Sequence, residues 1–373
     1  MKRPSAIRVA VSLFTIATCT APIACGQSVS QSVSQSVSQS SPPLAAPGQL
    51  IADTLHSKAL ESNLLGDSPD RSMLVYLPPS YASSNRRYPV VYLLHGFGGT
   101  ERTWLNAFPL KPAMDTLVRN GSVREMIIVM PNGRNAYDGS FYTNSATTGN
   151  WDDFIARELV AYVDGKYRTL VRAESRGLAG HSMGGFGAFA VGMRHAGDTY
   201  SALYALSGCC THFTRSPGQA AAWDSLAAAR SLADARRLAF YPKVNLALAA
   251  AFSPDPNNPP LFVDVPFART SGKLEAVEGV VQKWAANAPL DMIPSHVAQL
   301  KRLKGFMFDV GTSDQLVSLA SLAAMDTALT RAGVQHTFET YEGDHTNRIA
   351  MRLALRVLPF FSRTLDFDES PRR

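Results

Sequence analysis

The residues able to do chemistry gather around one serine. Gly180-His181-Ser182-Met183-Gly184-Gly185 follows the short run Gly177-Leu178-Ala179 and opens a helical pattern at Gly184. A serine held on a sharp strand-to-helix turn can attack a carbonyl, and glycines on either side leave room that a Cβ would fill. Ser182 is therefore the candidate nucleophile. A serine hydroxyl is weak at its free pKa and needs a histidine base within hydrogen-bond reach. Of eight histidines, His95 and His181 lie inside motif backbones and His56 near the start of the body. His195, His212 and His296 fall on helix or insertion surfaces, and His336 begins the last strand. His345 differs: Tyr341-Glu342-Gly343-Asp344-His345 leaves that strand through a glycine and puts an imidazole on the loop before the closing helix, where such a base belongs.

The acid that orients the imidazole should lie between serine and histidine in the chain. Asp309, inside the strand Phe306-Met307-Phe308-Asp309-Val310, and Asp314, in the loop Gly311-Thr312-Ser313-Asp314, both qualify. The loop position is better placed to reach the second ring nitrogen, so Asp314 is taken as the acid and Asp309 as a structural residue beneath the site. An oxyanion also needs fixed donors. The backbone N–H groups of Met183 and of Phe97, within His95-Gly96-Phe97-Gly98-Gly99, stand where a nucleophile turn would use them. That glycine run lacks the Lys-Ser/Thr of a nucleotide loop and no GxGxxG follows, which argues against phosphate binding. Trp104 and Phe141-Tyr142 fall on loops after the third and fourth strands, on the Ser182 edge. They are expected to stack an aromatic acyl group such as a hydroxycinnamate, unless they only pack.

Holding these residues together requires a sheet. Apolar runs at Met73–Leu77, Val90–Leu94, Met126–Met130, Gly177–Ala179, Ala202–Leu206, Gly305–Val310 and Thr337–Tyr341 read as strands. Asp153–Tyr167, Gly184–Arg194, Leu316–Ala332 and Thr346–Leu365 read as helices between and after them. This alternation predicts an α/β fold with a mostly parallel central sheet and helices on both faces. From about 210 to 303 the rhythm breaks into an alanine-rich helix at Ala220–Leu238 and a Pro/Asn loop at Ser253–Pro260. It reads as an insertion over the carboxyl edge of the sheet, shaping a substrate cleft or a subunit contact.

The flanks predict a route out of the cell. Met1-Lys2-Arg3, Arg8, the apolar run Val9–Ala17 and small residues at Ala21–Gly26 have the form of an export signal over 1–26, too short to span a membrane. A lipid anchor on Cys25 is a weaker alternative, because Pro22 stands where a lipoprotein signal has a branched residue. Residues 27–48 repeat Gln-Ser-Val-Ser and then turn Pro-rich, which predicts a disordered tether. The catalytic body is expected over 49–366 and a polar tail over 367–373. The formal charge of +6 shrinks once Lys2, Arg3 and Arg8 leave, and no basic cluster interleaves with aromatics, so nucleic acid is not an expected partner. Cys209 and Cys210, adjacent in the body, make no zinc spacing; they read either as buried small side chains or as a strained disulfide pair.

With those residues in hand, the sequence resembles the putative esterase family of α/β-hydrolases, which includes S-formylglutathione hydrolases, feruloyl esterases and mycolyl transferases. The likeness runs from about Leu74 to Phe361. It rests on Tyr92–Glu101, Pro131-Asn132-Gly133, Ser140-Phe141-Tyr142, Gly180–Gly185, Gly311–Asp314 and Gly343-Asp344-His345. It is nearest the feruloyl-esterase-like branch, whose pattern also has a tryptophan near Trp104. The resemblance implies a Ser182–His345–Asp314 triad, an oxyanion hole at Phe97 and Met183, an acyl-enzyme, and no metal or organic cofactor. The substrate class is a small-molecule or polysaccharide-linked ester. The long 210–303 segment would redraw the pockets, so the ester itself is not carried over, and export sits poorly with glutathione chemistry. An acyltransferase using a sugar or lipid hydroxyl, a peptidase, and a non-catalytic surface-binding protein stand as rivals; oligomeric state is open.

Overall fold

The computed structural model describes residues 46–213 and 215–368. The expected export signal, Cys25, the tether up to residue 45 and residues 369–373 of the tail lie outside them. Gly48, assigned to the tether, donates its N–H to Asp115 Oδ1 at 2.9 Å. Phe367, assigned to the tail, is buried with the Arg124 guanidinium 3.6 Å from its ring centre. Both residues pack onto the body.

Eight strands form one sheet: β1 (Gln49–His56), β2 (Asp70–Leu77), β3 (Val90–Leu94), β4 (Ile127–Pro131), β5 (Arg176–His181), β6 (Ala202–Leu206), β7 (Gly305–Gly311) and β8 (Thr337–Tyr341). Their spatial order is β1-β2-β4-β3-β5-β6-β7-β8. β1 and β2 run antiparallel to their neighbours, and β4, β3, β5, β6, β7 and β8 are parallel. Every residue of β3, β4 and β6 is buried, as expected of parallel strands covered on both faces. Alternation sends Val90, Tyr92 and Leu94 into one apolar layer and Val91 and Leu93 into the other. This is the α/β-hydrolase architecture. β1 escapes sequence reading because it is an edge strand with little buried surface and no clean alternation.

α1 (Leu110–Arg119) covers the Val91 face, and α2 (Leu159–Lys166) and α3 (Met183–Arg194) cover the other. The insertion leaves β6 and among its described residues holds five helices: α4 (Ala220–Ala228), α5 (Leu232–Arg237), α6 (Phe240–Phe252), α7 (Glu278–Ala285) and α8 (Pro289–Leu300). α9 (Leu319–Arg331) joins the α3 face, and α10 (Leu358–Thr364) returns to the α1 face.

The single helix expected at Ala220–Leu238 is instead broken between α4 and α5. Ser231 caps α5 by accepting the Asp234 N–H at 3.1 Å, and a capping serine competes with helix continuation. α6 falls in a stretch to which the sequence reading assigns no element; Pro242 lies in its first turn, where a missing N–H costs nothing. A hairpin, Phe267–Thr270 with Lys273–Ala276, turns at Ser271 and Gly272, both at positive φ. The insertion is tied to the loop after β4: Lys243 pairs with Asp138 at 3.0 Å, and Tyr137 donates to the Leu261 carbonyl at 2.9 Å. Among the described residues no helix is long and apolar enough to cross a membrane.

Candidate active site

Ser182 stands between β5 and α3 with φ 57° and ψ −114°, a conformation that L-residues rarely adopt. The turn is held by close backbone approach. A Cβ on Gly180 would lie 2.3 Å from the Gly184 oxygen, and one on Gly184 would lie 2.2 Å from the Leu94 oxygen. The Ser182 N–H donates to the Leu206 carbonyl at 3.0 Å, and its own carbonyl accepts from Phe186 at 2.9 Å and Cys209 at 3.3 Å. Its side chain faces the β3 loop, 3.5 Å from where a Cβ on Gly96 would sit.

Two strands further along the same edge, Asp314 and His345 meet. Nδ1 of His345 lies 2.9 Å from Oδ2 of Asp314 and 3.1 Å from Oδ1. Asp314 also accepts the N–H groups of Leu316 at 2.9 Å and Val317 at 2.8 Å. Burial pushes its carboxyl pKa up, but the bonds from His345, Val317 and Leu316 outweigh that and hold it below the usual range. The alternative acid is committed elsewhere: Asp309 is fully buried and accepts from Tyr204 at 2.7 Å and Arg352 Nε at 2.9 Å.

His181 fastens these parts together. Its Nε2 donates to the His345 carbonyl at 2.8 Å, and the two rings lie 4.6 Å apart. Burial, helped by the charge of His345, pulls the His181 pKa down to about 4, so the ring is neutral at pH 7. The Ser182 hydroxyl makes no hydrogen bond among the described residues. Such contacts are commonly long in unliganded hydrolases and tighten on substrate binding.

Neither Phe97 nor Met183 spends its backbone N–H on a protein acceptor among the described residues. Their side chains converge: a Cβ on Gly139 would lie 2.6 Å from both Met183 Sδ and Phe97 Cδ2. The Phe97 loop is pinned by Gly98 N–H to the Asp138 carbonyl at 2.8 Å. It is also pinned by His95, which accepts at Nε2 from Gly133 and donates from Nδ1 to the Gly96 carbonyl, both at 2.8 Å. Burial lowers the His95 pKa to about 4, consistent with this neutral tautomer.

The aromatics expected to stack a substrate are turned away from solvent. Trp104, Phe141 and Tyr142 are each at most 1 % exposed. Trp104 donates to the Leu93 carbonyl at 3.1 Å and Tyr142 to the His95 carbonyl at 2.9 Å, while Phe141 packs on Phe97, Phe186 and Phe252. They support the β3 loop from behind. The aromatics facing outward come from the insertion: Phe240 is 50 % and Tyr241 45 % exposed, and Phe240 meets the Phe97 ring edge-on at 6.0 Å. Nothing in the local sequence marks them, because their position depends on α6 crossing to the β3 loop. Among the described residues no group of three His, Cys, Asp or Glu side chains could hold a metal ion.

Known proteins resemble this chain to differing extents. Esterase Rv1288 of Mycobacterium tuberculosis is 33 % identical over 146 residues, covering 38 % of this chain and 30 % of the relative. An endo-1,4-beta-xylanase/feruloyl esterase of Xylanibacter ruminicola is 33 % identical over 116 residues, 30 % of this chain and 16 % of the relative. The chain thus spans a minor part of the curated relatives it matches. Among solved structures, a ferulic acid esterase superposes with a TM-score of 0.61 at 25 % identity, covering 86 % of this chain and 99 % of that one. An S-formylglutathione hydrolase from Agrobacterium tumefaciens, at 16 % identity and a TM-score of 0.57, covers 86 % of this chain and 97 % of its own; it shares the fold. The family model described as "Putative esterase" matches residues 65–349, a span that takes in Ser182, Asp314, His345 and the whole insertion. The chain belongs to that esterase family.

Proposed function

We propose that the protein is a serine carboxylic-ester hydrolase. Ser182 attacks the ester carbonyl as His345 takes its proton, the alcohol departs with that proton, and water then cleaves the acyl-enzyme by the reverse sequence. Asp314 holds the imidazole through Nδ1 and balances its cation, and the N–H groups of Phe97 and Met183 receive the oxyanion. The observation that carries this reading is the Asp314–His345 pair, fastened through His181 to a serine on a left-handed turn. Family membership supports it.

The substrate proposed is an aromatic ester of the hydroxycinnamoyl kind or a short-chain ester, free or on a polysaccharide. The outward rings of Phe240 and Tyr241 beside Phe97 offer the acyl group an apolar wall, and the matched relatives include proteins named for ferulic acid. Export through residues 1–26 is part of the proposal, tested by sequencing the N-terminus of the protein recovered outside the cytoplasm. The activity test is hydrolysis of p-nitrophenyl acetate and methyl ferulate by the wild type beside Ser182→Ala, with product analysis. Turnover of neither ester by folded wild type contradicts the reading.

A further inference from the structure

Cys209 and Cys210 lie in the loop after β6, and ester hydrolysis gives neither a role. Their Sγ atoms are 3.0 Å apart, neither is in a disulfide, and both residues are partly exposed. The chain's other cysteines, Cys19 and Cys25, lie near its N-terminus. β6 runs between β5, which leads to Ser182, and β7, which leads to Asp314, so the pair sits between nucleophile and acid on one edge. Cys210 has φ 59° and Ser207 φ 41°, a locally strained segment.

That segment buttresses the serine turn. Leu206 accepts the Ser182 N–H, and Cys209 donates to the Ser182 carbonyl. A Cβ on Gly185 would lie 2.6 Å from Gly208 Cα. Movement of 206–210 therefore reaches the nucleophile directly.

The geometry points to a vicinal dithiol site at Cys209 and Cys210 that takes low-molecular-weight disulfides, closes to a disulfide, and slows acyl transfer at Ser182 when closed. The Cys210 thiolate attacks one sulfur of the oxidant RS–SR and releases RS⁻. Cys209 then gives its proton to solvent, attacks the Cys210 sulfur of the mixed disulfide and releases the second RS⁻. The two thiols lose two protons and two electrons, and the oxidant becomes two thiols. Contact with Cys210, burial and the Asp314 carboxylate push the Cys209 thiol up. Closure pulls on the segment that holds the Ser182 N–H and carbonyl, and a misplacement of about 1 Å at a positioned nucleophile costs up to about 100-fold in rate. The rate effect rests on Ser182 being the nucleophile; disulfide formation does not.

The test treats the full chain with oxidised glutathione, alkylates it with iodoacetamide, and measures the mass of the tryptic peptide carrying both cysteines beside the initial rate on p-nitrophenyl acetate. The expected peptide has lost two hydrogens and carries neither glutathione nor alkyl groups. The rate should fall about tenfold and return with dithiothreitol. Cys209→Ser should retain glutathione on Cys210, and the Cys209→Ala/Cys210→Ala double variant should respond to neither reagent. Alkylation of both wild-type cysteines after oxidation overturns the dithiol site. Loss of two hydrogens with an unchanged rate overturns its coupling to Ser182. Absence of wild-type hydrolysis before oxidation defeats the esterase reading instead, while the peptide mass still decides the dithiol.

Discussion

His181 Nε2 donates to the carbonyl oxygen of His345 at 2.8 Å, so the residue immediately before Ser182 holds the main chain of the proposed base. Nucleophile and base come from strands that are not neighbours in the sheet, with β6 and β7 between them. A buried neutral imidazole bridges that gap, and its protonation would place a charge beside His345.

This gives a pH dependence of stability. His95 and His181 are held near pKa 4, against 6.5 for a free imidazole. Between those values the unfolded chain binds more protons than the folded one, so stability falls as pH drops from 6.5 towards 4. Each site contributes a loss on the order of 3 kcal/mol across the window. The lowered pKa of Asp314 adds a further loss at more acidic pH. The melting temperature should fall continuously from pH 6.5 to 4, and His181→Gln should flatten the slope. A melting temperature that is level over that range contradicts this assignment.

Tyr142→Phe removes the hydroxyl that bonds the His95 carbonyl and leaves that buried oxygen one partner short. The expected cost is about 1–3 kcal/mol of stability, with kcat lowered more than KM raised, because the loop carrying the Phe97 N–H loosens. Stopped unfolding in urea and steady-state kinetics on one ester measure both; a variant changed in KM alone would place Tyr142 on the substrate instead.

Arg352→Met leaves Asp309 buried without its cation. Arg352 also reaches Glu339 at 2.8 Å and the Tyr204 hydroxyl at 2.8 Å. Loss of one partner from such a buried pair costs about 3–5 kcal/mol, and the double variant with Asp309→Asn should recover part of it. Equal urea midpoints for Arg352→Met and wild type would refute the role of the pair.

Phe240→Ala removes a ring that stands half exposed against Phe97. KM for methyl ferulate should rise several-fold, in line with about 1–2 kcal/mol of lost apolar and ring contact. The rate on p-nitrophenyl acetate should stay within about twofold, since loss of a remote wall contact leaves the reacting groups in place. Equal effects on both esters would contradict a specificity role.

How much of this was legible in the sequence varied with how local the cause was. β3 and β6 fall where the apolar runs put them, because burial on both faces needs a continuous apolar stretch; β8, a partly exposed edge strand, is legible instead from its Thr, Phe and Tyr content. The turn at Ser182 was legible because steric crowding at Gly180 and Gly184 leaves so few residue types. Asp309 and Asp314 could be ordered only by loop against strand; the contact with His345 comes from the parallel pairing of β7 and β8, which sets their carboxyl ends side by side and which no local pattern records. Trp104, in the short helix Thr103–Asn106, and Phe141 and Tyr142, on a loop, turn inward because an aromatic at such a site can face out or back. Phe141 and Tyr142 both sit at positive φ, which no residue-type preference announces. Phe240 was missed for the converse reason, its partner Phe97 lying far away in the chain.

The central claim is that Ser182 is the nucleophile, and labelling with a fluorophosphonate followed by peptide mapping tests it most directly. The wild type should take up one probe on Ser182 and lose ester hydrolysis in proportion. Ser182→Ala should remain folded, take no probe and lose about four or more orders of magnitude in kcat. Labelling at another residue, or near-normal hydrolysis by folded Ser182→Ala, would contradict the account.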